Sequence, residues 1–323
     1  MSSTTPEQQL PVGGIPARRQ LRFGDVALQG IALVAAVGSA VLLGLLAYKV
    51  VAQAWPAIRH SGLSFVWTYA WNPNSAAFGA ASFIFGTVVT SFVALLIATP
   101  LAIAIALFLT EIAPKRVRAP IATVVELLAA IPSVVLGLWG ILVFGPWLNA
   151  NLEPWLQGAF GFLPIFSGPT SSVGIFPASL ILTIMIVPII SSLCRELFSR
   201  VPDELAAGSL ALGSTRWEAL RKVVIPFAAP GIVAAMLLGL GRAFGEAIAV
   251  SQTMGGRTNI PASLFAPGDT LGSKIANSYQ GAGTGLETQS LLYLAAILMV
   301  ISLLTNLAAQ AVVSKFETAR RLQ

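Results

Sequence analysis

Residues 201–232 read VPDELAAGSLALGSTRWEALRKVVIPFAAPGI and lie between two long apolar segments. The order is an acidic, alanine-rich turn around Glu204, then Ala207-Gly208-Ser209, then Gly213. A helix-forming run with Trp217, Arg221 and Lys222 follows, and then Ile225-Pro226. A chain that crosses a membrane has few reasons to keep a charged, helix-forming block of this length between two spans. Docking on a soluble partner is one such reason. The block is expected to form two short helices that meet near Gly213. There the backbone needs a conformation or a close approach that a side chain would obstruct.

Composition supports spans on both sides of this block. Of 323 residues, 56% are hydrophobic and 10% are charged, where a soluble domain carries about 25% charged residues. With a mean hydropathy of +0.81, the chain falls in the membrane class. The single cysteine, Cys194, excludes an intrachain disulfide and a multi-cysteine metal site. It reads as a small packing residue. Residues 1–17 are polar, with Pro, Gly and Ser and no periodicity. A disordered cytoplasmic tail over residues 1–20 is expected, and no signal peptide, because no short apolar core with a cleavage site follows.

A bilayer core needs about 20 apolar residues per helix. Six segments qualify: roughly 26–48, 82–110, 121–144, 174–193, 229–250 and 290–313. Pro100 lies inside the second, where a kink is expected, and Pro132 and Pro188 lie inside the third and fourth. Lys and Arg set the orientation. With the N-terminus inside, the inner segments hold Arg18, Arg19, Arg22, Lys115, Arg116, Arg118, Arg195, Arg200, Arg216, Arg221, Lys222, Lys315, Arg320 and Arg321. Against these fourteen, the outer segments hold Lys49, Arg59, Arg257 and Lys274. This asymmetry predicts an all-α polytopic membrane protein with six transmembrane helices and both termini cytoplasmic, and it places block 201–232 in the cytoplasm. Trp55, Trp67, Tyr69 and Trp71 in outer segment 50–81 read as interfacial anchors. Outer segment 145–173, with Trp147 and Trp155, has room for a re-entrant or interfacial piece. Segment 251–289 reads as a polar, Gly-rich loop.

Several chemistries have no residues to carry them. There is no phosphate-binding loop, since Gly268-Asp-Thr-Leu-Gly272-Ser-Lys274 has the wrong register. His60 is the sole histidine and reads as a surface residue. No catalytic residue, cofactor or metal ligand is assigned, and no nucleic-acid surface, because the basic residues follow membrane sidedness. Energy must come from a partner chain or a gradient.

The ionisable residues within the spans are the sharpest candidates. Arg242 and Glu246 are four apart and face one side of the fifth helix. Arg242 lies about 18 Å from the inner end at 1.5 Å per residue, near the midplane. A central charge costs roughly 2.5–3.5 kcal/mol or more, so it must face the bundle interior and find a partner. The pair is either self-neutralising or a station for an anion, whose oxygens match the planar guanidinium. Glu126 lies about 8 Å inside the third span, as an inner gate or as a residue near the interface. Ser133, beside Pro132, either offers a hydroxyl to a passing anion or bonds back to the preceding turn. Gly241-xxx-Gly245 would allow a tight helix contact.

Three elements carry a family resemblance. The first is block 201–232, which resembles the EAA loop of ABC importer permeases. A glycine, nine residues and an I-x-L-P element correspond to Gly213 and Val223-Val224-Ile225-Pro226. Ala207-Gly208-Ser209 stands where the family has Glu-Ala-Ala, and the nearest carboxylate is Glu204, one turn earlier. The others are Glu126-Leu-Leu-Ala-Ala-Ile-Pro-Ser-Val-Val-Leu-Gly-Leu-Trp-Gly140 and Gly239-Leu-Gly-Arg-Ala-Phe-Gly-Glu-Ala-Ile-Ala-Val250. With Trp71-Asn-Pro and Phe78-Gly, they resemble PstC-type permeases of phosphate ABC importers over about residues 20–316. The resemblance implies the type I ABC importer permease fold, with a cytoplasmic EAA-type coupling helix between helices 4 and 5. It implies a permease domain at 21–316 with its coupling loop at about 195–229, and a cytoplasmic tail at 317–323. It further implies a PstA-like second permease forming a heterodimer, a PstB-like ATPase dimer and a PstS-like phosphate-binding protein. The substrate would be inorganic phosphate, its path carried by Arg242, Glu246, Glu126 and Ser133. ATPase coupling would fall to Glu204, Ala207, Gly208, Ser209, Gly213, Trp217 and Pro226. A permease for another oxyanion (sulfate, molybdate or phosphonate) and a gradient-driven secondary transporter are the alternatives.

Overall fold

The computed structural model describes residues 23–283 and 285–321. The expected tail at 1–20 lies outside them, as do the last two residues of the tail at 317–323. Six of the described helices are long and apolar enough to cross a membrane, as expected. The chain divides into two units, Met1–Tyr48 and Lys49–Gln323. In the first, helix α1 (Phe23–Ser61) begins, and residues 27–46 are exposed on every side, Leu28, Val34 and Leu43 among them. A helix apolar all round, with no face covered, suits lipid as its surroundings.

The second unit is built around one central helix. Helices α2 (Ser64–Trp67) and α3 (Ala81–Leu107) flank a short hairpin, β1 (Trp71–Asn72) and β2 (Ala77–Phe78). α4 (Lys115–Ala130) and α5 (Ser133–Trp139) follow. α5 runs on through wide π-turns, α6 (Gly145–Trp147) and α7 (Glu153–Phe160) as one stretch, Ser133–Phe160. α8 (Ile175–Ser199) is the core helix, buried along most of its length. Ala94, Ala98, Ala102 and Ala106, one per turn of α3, are fully buried in the same cluster as α8. Such a small-residue stripe lets two backbones approach where lipid offers no hydrophobic drive. On another side α8 meets α11 (Ile225–Phe244). A methyl group added to Gly239 would stand 2.8 Å from Ile190, and one at Gly231 would strike Leu197. Cys194 is fully buried in this core, as a packing residue should be.

Two expectations about the spans need correction. The third span is Ser133–Phe160, not 121–144, because the helix stops at Ala130. Ile131 is extended, with ψ 127°, since the residue before a proline is pushed out of the helical region. Pro100 and Pro188, by contrast, stay inside α3 and α8. The fifth span breaks after Phe244 and resumes as α12 (Ile248–Thr253). Within the chain a methyl on Gly241 would come only within 3.7 Å of Asn306, so Gly241-xxx-Gly245 is left for a contact with a second subunit, as the sequence reading allowed. Gly231 and Gly239 are the close-packed glycines.

The outer segments are also more ordered than their composition implies. Trp55, Trp67, Tyr69, Trp147 and Trp155 are exposed, as anchors would be. Trp71 instead packs edge-on to Phe78 and Phe83, with the Lys274 ammonium 4.9 Å from its ring. Segment 251–289 is not a plain polar loop. Met254, Phe265 and Leu271 are fully buried, and α13 (Leu271–Ser278) starts where the Thr87 hydroxyl accepts from the Leu271 N–H. Burial holds the Asp269 carboxyl above its ordinary range, against the bonds from Ser273 and Thr270, and holds the Lys274 ammonium below its own. The Asp269 carbonyl rests on Gly86, where a methyl group would overlap it. Gly86→Ala is therefore expected to lower stability by roughly 1–3 kcal/mol, read as a fall in the melting temperature of the detergent-purified protein. An unchanged melting temperature would show that this close approach is not needed. α14 (Gly285–Arg321) closes the chain against α11 and α13.

Candidate functional site

The break in the fifth span is where the site forms. Gly245 leaves the helix with ψ −5°, and two residues later α12 begins. Glu246 lies in this gap. Its side chain is 3% exposed, and its two oxygens have different partners. One accepts from Arg242 Nη1 at 2.5 Å, the other from the Ala249 N–H at 3.1 Å. The carboxylate thus caps the first turn of α12 while holding the guanidinium, so two orphan demands are met by one side chain. The sequence spacing of four is kept, but the pair spans a break and does not lie on one helix face.

Arg242 is the outward member of the pair. Its side chain is 42% exposed, where that of Glu246 is 3%. Only one of its five N–H donors has a partner in the described chain. Its depth follows from packing: Gly239, just under one turn earlier, lies against Ile190 and Ile186, midway along α8. Arg242 therefore lies level with the middle of α8.

Ser133 opens α5 and is half-buried. Its hydroxyl makes no bond back to the preceding turn, because that turn is the extended Ile131–Pro132 step. α5 packs on α12 in a parallel sense. A methyl on Gly137 would stand 2.9 Å from the Ala249 backbone and 2.7 Å from Gln252, and one on Gly140 would stand 2.8 Å from Thr253. One turn earlier on each helix, this register brings Ser133 to the level of Glu246. The two N-terminal helix ends, of Ser133–Phe160 and of α12, thus lie at one depth.

Glu126 is not part of this group. It lies on α4, before the proline break, and bonds Arg195 on α8 at 2.6 Å. Arg195 is four residues from the end of α8, while Arg242 lies level with its middle. The position inside the third span is corrected accordingly, since that span starts after Pro132.

Block 201–232 forms the two short helices expected. α9 (Asp203–Ala211) carries Glu204, Ala207, Gly208 and Ser209. The chain then turns at Gly213, which has φ +89°. A side chain there would meet nothing within 4 Å, so the glycine is needed for its backbone conformation and not for a close approach. The Ser209 and Ser214 hydroxyls, 2.7 Å apart, tie the turn. α10 (Arg216–Ala219) starts with a capping box, Thr215 and Glu218 each bonding the other's backbone N–H. A π-turn then leads without a break into α11, and this wider turn falls just before Pro226, which has no N–H to continue the regular ladder. Trp217 is 62% exposed and Leu212 92% exposed. Trp217, Leu210 and Ile112 line a groove of about 510 Å³.

Some participants were not singled out from sequence. Arg195 was read only as a topology marker, Gly137 only as part of the run that carries the resemblance, and Gln252 not at all. A glycine five residues beyond a proline is too common a pattern to signal a helix contact.

Residues 98–318 match the family of binding-protein-dependent transport system inner membrane components, and the chain belongs to it. It is a multi-pass inner-membrane permease subunit of a transporter. Among its relatives is the phosphate transport system permease protein PstC of Mesorhizobium japonicum, 41% identical over 290 residues, which are 88% of this chain and 89% of that one. The PstC of Pasteurella multocida is 40% identical over 280 residues, 85% of this chain and 87% of that one. A solved chain of the inward-facing MetNI methionine ABC transporter has a TM-score of 0.48 at 21% identity, covering 70% of this chain and 93% of that one.

Proposed function

We propose that the chain is the permease subunit of an ATP-driven importer of inorganic phosphate. It would conduct the anion past Arg242 together with a PstA-like second permease. The observation that carries this reading is the asymmetry of the Arg242–Glu246 pair. The carboxylate is buried and fixed by the Ala249 N–H, while the guanidinium is half-exposed with donors to spare. An anion arriving from outside meets a fixed cation at mid-depth, which offsets the cost of bringing charge into a low-dielectric region. Glu246 keeps that cation from holding the anion too tightly, and conduction needs binding weak enough to leave. Ser133 lies at the right depth to donate to the same anion. The match to relatives named as phosphate permeases, over 88% of the chain, supports phosphate as the oxyanion.

In this reading α9, Gly213 and α10 dock on a PstB-like ATPase dimer, and the outer segments receive a PstS-like phosphate-binding protein. The exposed Trp217 and Leu212 support the first assignment, because solvent-facing apolar side chains of this size mark contact surfaces. Phosphate uptake in a strain lacking other phosphate importers tests the function. Uptake should require the ATPase and survive collapse of the proton gradient. Growth failure on limiting sulfate, with phosphate uptake intact, would point to another oxyanion.

The excess of basic residues on one side implies that both termini and α9 are cytoplasmic. In a Cys194→Ser background, Leu212→Cys should resist an impermeant thiol reagent in intact cells, and Ile260→Cys should react with it. Both positions are exposed. Labelling of the first from outside would reverse the orientation.

A further inference from the structure

The ion pairs Glu196–Arg200, Glu218–Lys222 and Arg242–Glu246 each join residues four apart. Glu126–Arg195 instead joins α4 to α8 across 69 positions. α4 is unusual in other ways. None of its 16 residues is buried. It begins after Pro114 and ends at the Ile131–Pro132 step, so both ends are breaks in the helix. Its first turn is tied only to its own loop, by Arg118 Nε donating to the Ala113 carbonyl at 2.8 Å. A helix with a hinge at each end and no buried side chain is held where it is by whatever pins it. Here that is its packing on α8 together with the one ion pair between them, with side chains 33% and 58% exposed.

The helix also lies between two elements already assigned roles. On one side, Asp203 and Ala206 of α9 line a cavity of about 520 Å³ together with Arg118 and Ala122 of α4 and with Arg195. On the other side α4 runs directly into α5, whose Gly137 packs on Ala249, the residue that Glu246 caps. The cavity is a poor place for an anion, since Glu111 and Asp203 line it along with its two arginines, and Glu126 is bound to one of these. Glu126 is therefore placed to act on the helix and not on the anion.

We propose that Glu126 and Arg195 are positioning residues for transport. Their ion pair is a latch that holds α4 against α8 in this state and opens in another, so that movement at α9 passes through α4 and α5 to the carboxylate holding Arg242. This rests on the reading of the Arg242 pair as the anion path. A partly exposed pair suits a reversible latch, because breaking it shifts an equilibrium by about fivefold at most. Buried, it would hold too firmly.

The test uses the assembled transporter in membrane vesicles, in a Cys194→Ser background. Glu126→Cys and Arg195→Cys are joined by a reducible bifunctional thiol reagent. Joining should lower phosphate uptake about tenfold or more by removing one of the two states, and reduction should restore it. Equal uptake before and after joining overturns the latch. Independently, Glu126→Gln should raise ATP hydrolysis in the absence of the external binding protein by up to about fivefold. The charge swap Glu126→Arg with Arg195→Glu should bring it back towards the parent value, which a merely structural role for either residue would not predict. A swap no better than Glu126→Gln also overturns the proposal. Parent vesicles that take up no phosphate would instead sink the substrate assignment, and the effect of joining on ATP hydrolysis would still report on the latch.

Discussion

Phosphate uptake by Arg242→Gln should fall by about tenfold to a hundredfold, the worth of roughly 1.5–3 kcal/mol in a hydrogen bond to a charged group. The measurement is radiolabelled phosphate uptake normalised to membrane-inserted protein. One consequence of the geometry must be separated from the role in conduction. Glu246 is 3% exposed, and removing its guanidinium leaves a buried carboxylate with only the Ala249 N–H, which destabilises by about 3–5 kcal/mol. The single variant risks failing by misfolding. Arg242→Gln combined with Glu246→Gln removes both charges and keeps an acceptor for the Ala249 N–H. It should insert and assemble normally yet still fail to transport. Arg242→Lys should recover transport only in part, because an ammonium lacks the planar fork that meets two oxygens at once. Near-normal uptake by the doubly neutral variant would leave the pair as a structural ion pair and withdraw it from the path.

Gly213→Asp should insert and accumulate like the parent but lose most phosphate uptake, with ATP hydrolysis uncoupled from transport. The backbone at Gly213 has φ +89°, and a side chain there costs roughly 1–2 kcal/mol in strain. It meets no atom of this chain within 4 Å, so the fold survives. The new carboxylate would project beside Leu212, 92% exposed, on the surface assigned to the ATPase. Gly213→Asn is the informative comparison. Asparagine tolerates the left-handed region and brings no charge, so it should keep more coupling than aspartate. Full uptake by Gly213→Asp at normal expression would remove this turn from the coupling mechanism.

Much of this protein is written in its sequence. Six spans were legible because about 20 apolar residues are needed to cross a bilayer whatever they pack against. The two helices of block 201–232 and the turn between them were legible because Gly213 and the helix-forming runs on either side of it are local signals. Arg242 and Glu246 stood out because charges deep in apolar segments are rare. Tertiary structure decided what local pattern left open. Of the prolines inside apolar runs, Pro132 breaks its helix, while Pro100, Pro188 and Pro230 stay inside theirs, the first two where α3 packs on α8. The break at Gly245 has no proline at all. It is fixed by Glu246 turning inward to cap α12, and by Gly137 of α5 packing on the same turn. The depth of Glu126 likewise depends on Arg195, 69 positions away in sequence. Spacing along a chain records which residues share a helix, but only the packing of several helices fixes where one helix stops and which distant charges meet, because those outcomes are set by groups far apart in sequence.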